Sequence, residues 1–405
     1  MDRRVLFASL ILFAGGAAGV GVALFAFVGL DQGSAETEIV WETDPITGDD
    51  GSGAVIATAD GDSLVIQSTV VDGDRVIRAT VAGGETAWTT PLSAVDATGS
   101  DSVGEDPPAV SAFALGALGG DAAVGFTTES GTLVVLDAAD GSERFALDVG
   151  GAGGIAPAFG DLTGDGTGEV AAVARDGTVL AVDAEGETAF ETVLDGSVDR
   201  RPLLVEPDET PAGLAVLTET DGAYTVHLLD DRGETRWTTT PAVAPLSWSA
   251  ADTRDGTILA LGGSSGNLET LEVADGSLRY EVGLQDLPIV VGDAGPGQIH
   301  VGGTGSVWAV DLLDGEVAWK QQYGGQTRVN RPGIGGLTSD GTAAPVAVNR
   351  DGDVLVMSRT GEAVSRGDVG TATVYAGPLF ADVTGDGRDE VIVVTEAGRI
   401  VAVAG

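Results

Sequence analysis

Twice in this chain an acidic, glycine-broken phrase precedes an apolar run. It reads FGDLTGDGTGEV at residues 159–170 and FADVTGDGRDEV at residues 380–391. Side-chain oxygens fall at Asp161, Thr163, Asp165 and Glu169 in the first phrase, and at Asp382, Thr384, Asp386 and Glu390 in the second. A chain turning tightly around a hard cation brings positions one, three, five and nine of such a phrase to its inside. Gly166 and Gly387 permit the sharp bend, and the carbonyls of Thr167 and Arg388 would face the ion. An all-oxygen donor set suits Ca²⁺ better than Zn²⁺ or copper. The expectation is two structural Ca²⁺ sites with no open position for a substrate. The related phrases ADTRDGT at 251–257 and GLTSDGT at 336–342 lack the full ligand series and read as empty turns.

Other chemistry is scarce. The chain has no cysteine, which excludes disulfides, thiolate metal sites, a cysteine nucleophile and a lipobox anchor. Its two histidines, His227 in YTVHLL and His300 in QIHVGG, lie inside strand-like runs and are expected to fill strand positions. No Ser/His/Asp order has a defensible spacing. The GTGS and GGSSG segments open no helix, so they read as turns and not as phosphate cradles. Arg200–Arg201 and RVNRP at 328–332 are the few basic spots before strands. They are expected to pair with surrounding carboxylates, an anion-binding axial mouth being the alternative.

The charge balance is lopsided: 62 Asp+Glu against 20 Lys+Arg give a formal net charge of −42. Such a surface argues against binding nucleic-acid phosphates. Lys320 is the sole lysine. An acidic, lysine-starved surface on a folding-competent chain suits concentrated salt, where self-repulsion is screened within about 3 Å. A halophilic, archaeal source is the expectation.

Two regions must position these residues: an anchor at 1–35 and a folded domain at 36–405. Residues 5–30 carry no charge and follow Arg3 and Arg4. As a helix they would span about 39 Å, enough to cross a hydrocarbon core of about 30 Å. A single-pass signal anchor is expected, with its amino terminus inside and the folded domain outside the cell membrane. From residue 36 onward short alternating apolar runs are separated by Asp/Gly turns, as in GTLVVLDAADGSERF at 131–145 and GSVWAVDLLDGEVAW at 305–319. An outer-strand position recurs at Trp41, Trp88, Phe145, Phe190, Trp237, Tyr280, Trp319 and Ser365, at intervals of 39 to 57 residues. The longest interval contains the polar insertion at 96–108, expected to be a surface loop. Four short strands per repeat and no helical periodicity predict an all-β propeller. The last repeat stops at GRIVAVAG without its outer strand, and ETEIVWETD at 36–44 is an outer strand without a hairpin. Joining them closes a ring of eight blades, with the two acidic loops in blades three and eight.

The phrase AVDxxxGExxW resembles the pyrroloquinoline-quinone-like repeat over about residues 36–405. That family includes eight-bladed quinoprotein dehydrogenases and non-catalytic relatives such as the BamB-type envelope scaffold. The acidic loops, with Phe159 and Phe380 upstream, resemble the calcium loop of FG-GAP repeats, apart from threonine at position three. The dehydrogenases generally cover their quinone with a vicinal disulfide, which a cysteine-free chain cannot form. With the expected anchor, the missing catalytic groups and the calcium-stiffened hairpins, the expectation is a membrane-anchored, extracellular, non-enzymatic scaffold with a protein partner in the cell envelope. The rival readings are a quinone-dependent oxidoreductase and a ligand sensor using the central channel.

Overall fold

The computed structural model describes residues 35–404, apart from 46–52, 60, 96–108, 208–210, 288, 323–326, 338–341 and 371–372. The expected membrane span and the 96–108 insertion lie outside the described residues. Among the described residues no helix is long and apolar enough to cross a membrane.

Eight antiparallel sheets follow one another along the chain. Blade three shows the pattern, with strands Ala158–Gly160, Glu169–Val173, Thr178–Val182 and Thr188–Val193 in spatial order. The two middle strands are buried throughout, while the outer strand alternates between covered and exposed residues. Period-two alternation explains both. Val170 and Ala172 pack with blade two, whereas Ala171 and Val173 pack with blade four. A middle strand is thus apolar on both faces because each face meets a neighbouring blade. The apolar clusters are accordingly cores between blades, as in the one joining Ile77 of blade one to Val134 of blade two.

The first strand of each blade touches the first strand of the next. The series runs from Ala54–Ala59 of blade one to Val374–Ala381 of blade eight, which returns to touch blade one. First strands therefore surround the axis, and the ring is closed. Closure depends on Ile39–Glu42, which pairs antiparallel with Ile400–Val403 through Ile39↔Val403 and Trp41↔Ala402. Eight four-stranded blades and the completing amino-terminal strand agree with the sequence expectation. One pairing was not expected. Ala35–Glu36 runs parallel to the outer strand Ala363–Asp368 and adds a fifth strand to blade seven.

The repeated aromatic residue belongs to the outer strand and covers a turn of the following blade. A Cβ built on Gly141 would lie 2.3 Å from Trp88, so this turn needs glycine both for that contact and for its φ of 72°. Trp88 Nε1 donates to the Ala138 carbonyl at 3.1 Å, Trp237 Nε1 to Val273 at 2.8 Å and Trp319 Nε1 to Arg359 at 2.9 Å. The indole thus buries its ring and satisfies its N–H in one contact.

Candidate metal centre

In blade three the acidic loop is clamped by the pairing of Gly160 with Glu169, and in blade eight by that of Ala381 with Glu390. Successive strands reverse direction, so both loops lie at the same end of their blades. Phe159 and Phe380 anchor the strands that enter the loops. Phe159 lies over Gly116 and Gly125 of blade two, and Phe380 over Gly333 and Gly335 of blade seven. A Cβ on Gly335 would approach the Phe380 ring to 2.2 Å, and one on Gly116 the Phe159 ring to 2.6 Å. The phenylalanines are therefore packing residues that fix where each loop begins.

Inside the first loop Asp161 Oδ1 accepts from the N–H of Gly164 at 2.7 Å and of Asp165 at 3.1 Å, and Oδ2 accepts from Gly166 at 2.9 Å. Glu169, 2 % exposed, accepts from the N–H of Leu162 at 2.8 Å and of Thr163 at 3.0 Å through Oε2. Its Oε1 accepts from the Thr163 hydroxyl at 3.1 Å. Asp165 Oδ1 accepts from the Thr167 N–H at 2.7 Å. The Thr167 hydroxyl, followed by its amide, holds the Asp165 carboxyl below the usual carboxylate range, so it stays ionised. Gly166 adopts a φ of 86°, which allows the turn.

These bonds leave lone pairs on Asp161 Oδ2, Asp165 Oδ2 and Glu169 Oε1. One ligand oxygen from each of the three residues lies within 4.8 Å of the others. Two oxygens on opposite sides of a Ca²⁺ stand about 4.6–5.2 Å apart, so the group has the dimensions for one such ion. Three converging carboxylates also repel one another unless a cation lies between them. The donor set fits Ca²⁺.

The second loop repeats the backbone bonds almost atom for atom. Glu390 accepts from Val383 N–H at 2.8 Å and from Thr384 N–H at 3.2 Å. Asp382 accepts from Gly385, Asp386 and Gly387, and Gly387 has a φ of 84°. The difference is Arg388, which occupies the place of Thr167. Its amide donates to Asp386 Oδ1 at 2.9 Å and its guanidinium to Oδ2 at 2.8 Å. Asp386 therefore already faces a positive charge supplied by the chain. Position seven was read from sequence only as a backbone carbonyl, which hid this side-chain effect.

The remaining candidates fall into place as strand and turn residues. His227 Nε2 shares a hydrogen bond with Thr218 Oγ1 at 3.0 Å. His300 is 3 % exposed, with Nδ1 3.1 Å from the Asp293 carbonyl. GGSSG runs from the end of the strand Gly256–Gly263 through the turn to Asn267–Glu272, and GTGS runs into the strand Ser306–Asp311. ADTRDGT forms a tight hairpin in which Thr253 pairs with Gly256. GLTSDGT falls largely outside the described residues. Arg200 pairs with Asp199 at 2.7 Å and Arg331 with Asp293 at 3.1 Å, as expected. Arg201 departs from that expectation: among the described residues its guanidinium has no hydrogen-bond or ion-pair partner.

Comparison with known proteins bears on the whole ring. Residues 160–289 match the family model described as outer membrane protein assembly factor BamB. Comparison with curated protein sequences found no match. The crystal structure of BamB from Moraxella catarrhalis is 16 % identical, with a TM-score of 0.61 over 92 % of this chain and 98 % of that one. Quinohemoprotein alcohol dehydrogenase from Comamonas testosteroni is 14 % identical, with a TM-score of 0.62 over 92 % of this chain and 78 % of that one. Saccharomyces cerevisiae Sqt1 is 13 % identical, with a TM-score of 0.64 over 91 % and 98 %. At such identities the structural likeness speaks for the fold alone. The repeat phrase and the eight-bladed ring agree with the family match, so residues 160–289 resemble the pyrroloquinoline-quinone-like, BamB-type repeat.

Proposed function

We propose that this propeller is a non-enzymatic scaffold that binds a protein partner in the cell envelope. The observation that carries the reading is where the chemically versatile side chains are used. The repeated aromatics close contacts between blades, and both histidines sit in blade strands with local partners. The match to an outer membrane protein assembly factor supports an envelope partner. The apolar segment 5–30 would tether the propeller on the outer side of the membrane. Ca²⁺ at the blade-three loop, and less firmly at the blade-eight loop, would stiffen hairpins without performing a reaction. The acidic surface suits a halophilic setting.

The rival reading is a quinone-dependent oxidoreductase. Full-length protein would be incubated with pyrroloquinoline quinone and Ca²⁺, then assayed for dye-linked oxidation of primary alcohols and aldose sugars. No turnover above a quinone-only control is expected. Saturable, protein-dependent oxidation would overturn the scaffold reading. Protease treatment of intact cells tests the placement, and the propeller is expected to be cleaved before cytoplasmic markers.

A further inference from the structure

Blades six and seven meet differently from blades two and three. Gly125 lies two strands inward of the outer-strand Phe145, through Val135, and His300 lies two strands inward of Trp319, through Ala309. Gly116 pairs with Ala123, two positions before Gly125, and Gly295 pairs with Gln298, two positions before His300. His300 and Gly295 therefore hold the places of Gly125 and Gly116, the glycines that Phe159 covers. Ile334 of blade seven holds the place of Phe159, pairing with Pro345 as Phe159 pairs with Val170. A Cβ on Gly295 would lie 3.0 Å from Ile334 Cδ1.

An isoleucine reaches less far than a phenylalanine. A cavity of about 140 Å³ remains beside it, lined by His300, Ile334, Ala343 and Pro345 together with the exposed Pro296 and Arg359, which give it a route to solvent. Pro296 belongs to the turn joining the first two strands of blade six, so the cavity lies toward the end that carries the acidic loops. Its walls are largely apolar. An apolar cavity of about 150 Å³ is enough to hold benzene, so this one has room for a single six-membered ring.

His300 supplies the polar group. It is 3 % exposed, and its Cε1 would stand 3.8 Å from a Cβ on Gly295, another lining residue. Nδ1 lies 3.1 Å from the Asp293 carbonyl, which can only accept, so Nδ1 carries the proton. Nε2, on the other side of Cε1, is then a lone-pair acceptor. Among the described residues it is buried without a hydrogen-bond partner. Burial, opposed by the Asp293 carbonyl, lowers the pKa, so the imidazole is uncharged at neutral pH. A buried acceptor without a donor is costly, and apolar walls leave that donor to be brought by a ligand. We propose that the cleft between blades six and seven binds a small, neutral, single-ring molecule bearing a hydroxyl, its ring among Ile334, Ala343 and Pro345 and its hydroxyl donating to His300 Nε2.

Calorimetric titration of the full 405-residue chain with phenol tests the site, with toluene as the isostere that cannot donate. Saturable 1:1 binding of phenol is expected, roughly tenfold tighter than that of toluene, because only phenol satisfies Nε2. Ile334→Phe extends a ring into the cavity, as Phe159 does between blades two and three, and should weaken phenol by a similar factor. His300→Leu should bind phenol no more tightly than toluene. Ile334→Phe exchanges one apolar residue for another, so it keeps the test valid even if His300→Leu misfolds. Failure of phenol to saturate, an equal affinity for toluene, or undiminished binding in Ile334→Phe would overturn the proposal.

Discussion

Glu169 and Asp165 share a loop but have separable roles. Glu169 is buried and caps two backbone N–H groups, so Glu169→Ala leaves both without an acceptor. A loss of about 1–3 kcal/mol is expected even in chelator, read by denaturant unfolding. Asp165 is exposed, so Asp165→Asn should leave the melting temperature in chelator unchanged while reducing the rise on adding Ca²⁺. In the second loop, Arg388→Thr frees Asp386 and should raise Ca²⁺ affinity there, measured by titration. His300 gives a separate signature. Burial pushes its pKa below the ordinary 6.5, so the unfolded chain takes up the proton first. Its contribution to stability is complete above about pH 6.5 and is lost as pH falls from there toward the lowered native value. His300→Phe should flatten that part of the stability profile. The spacing of the carboxylates was legible because ligands at alternate positions leave a local pattern.

At the scale of the strand and turn, the recurring contact is an outer-strand aromatic over the next blade's glycine. Trp88→Ala should cost about 3–5 kcal/mol. A comparison of glycines isolates the contact from backbone strain. Gly141→Ala adds a Cβ 2.3 Å from Trp88 at a φ of 72°, whereas Gly222→Ala meets open space at a φ of 81°. Gly141→Ala should therefore unfold at clearly lower denaturant. The aromatic spacing was readable because every blade interface repeats it. The partner glycine was not, since Trp88 and Gly141 are 53 positions apart. Nor was the parallel strand Ala35–Glu36 readable, because two residues carry no periodic signal.

The whole ring depends on one strand supplied from the other end of the chain. Removing residues 39–42 would expose the edge of Ile400–Val403 and leave Val403 and Ala402 paired on one side only, with Val391 and Ile392. That variant should melt several degrees lower by calorimetry. The sequence made this closure visible as an unpaired outer strand at one end and a missing one at the other. The fold was legible because propeller packing writes the same alternation into every repeat. The partner was not legible, because partner contacts need not repeat from blade to blade.

The scaffold claim is tested most directly by crosslinking intact cells in their native salt, purifying the full chain and identifying what remains attached by mass spectrometry. The expected result is a stoichiometric envelope protein, with crosslinks on the exposed turns of the blades. Recovery of the chain with a quinone mass and no protein partner would contradict it.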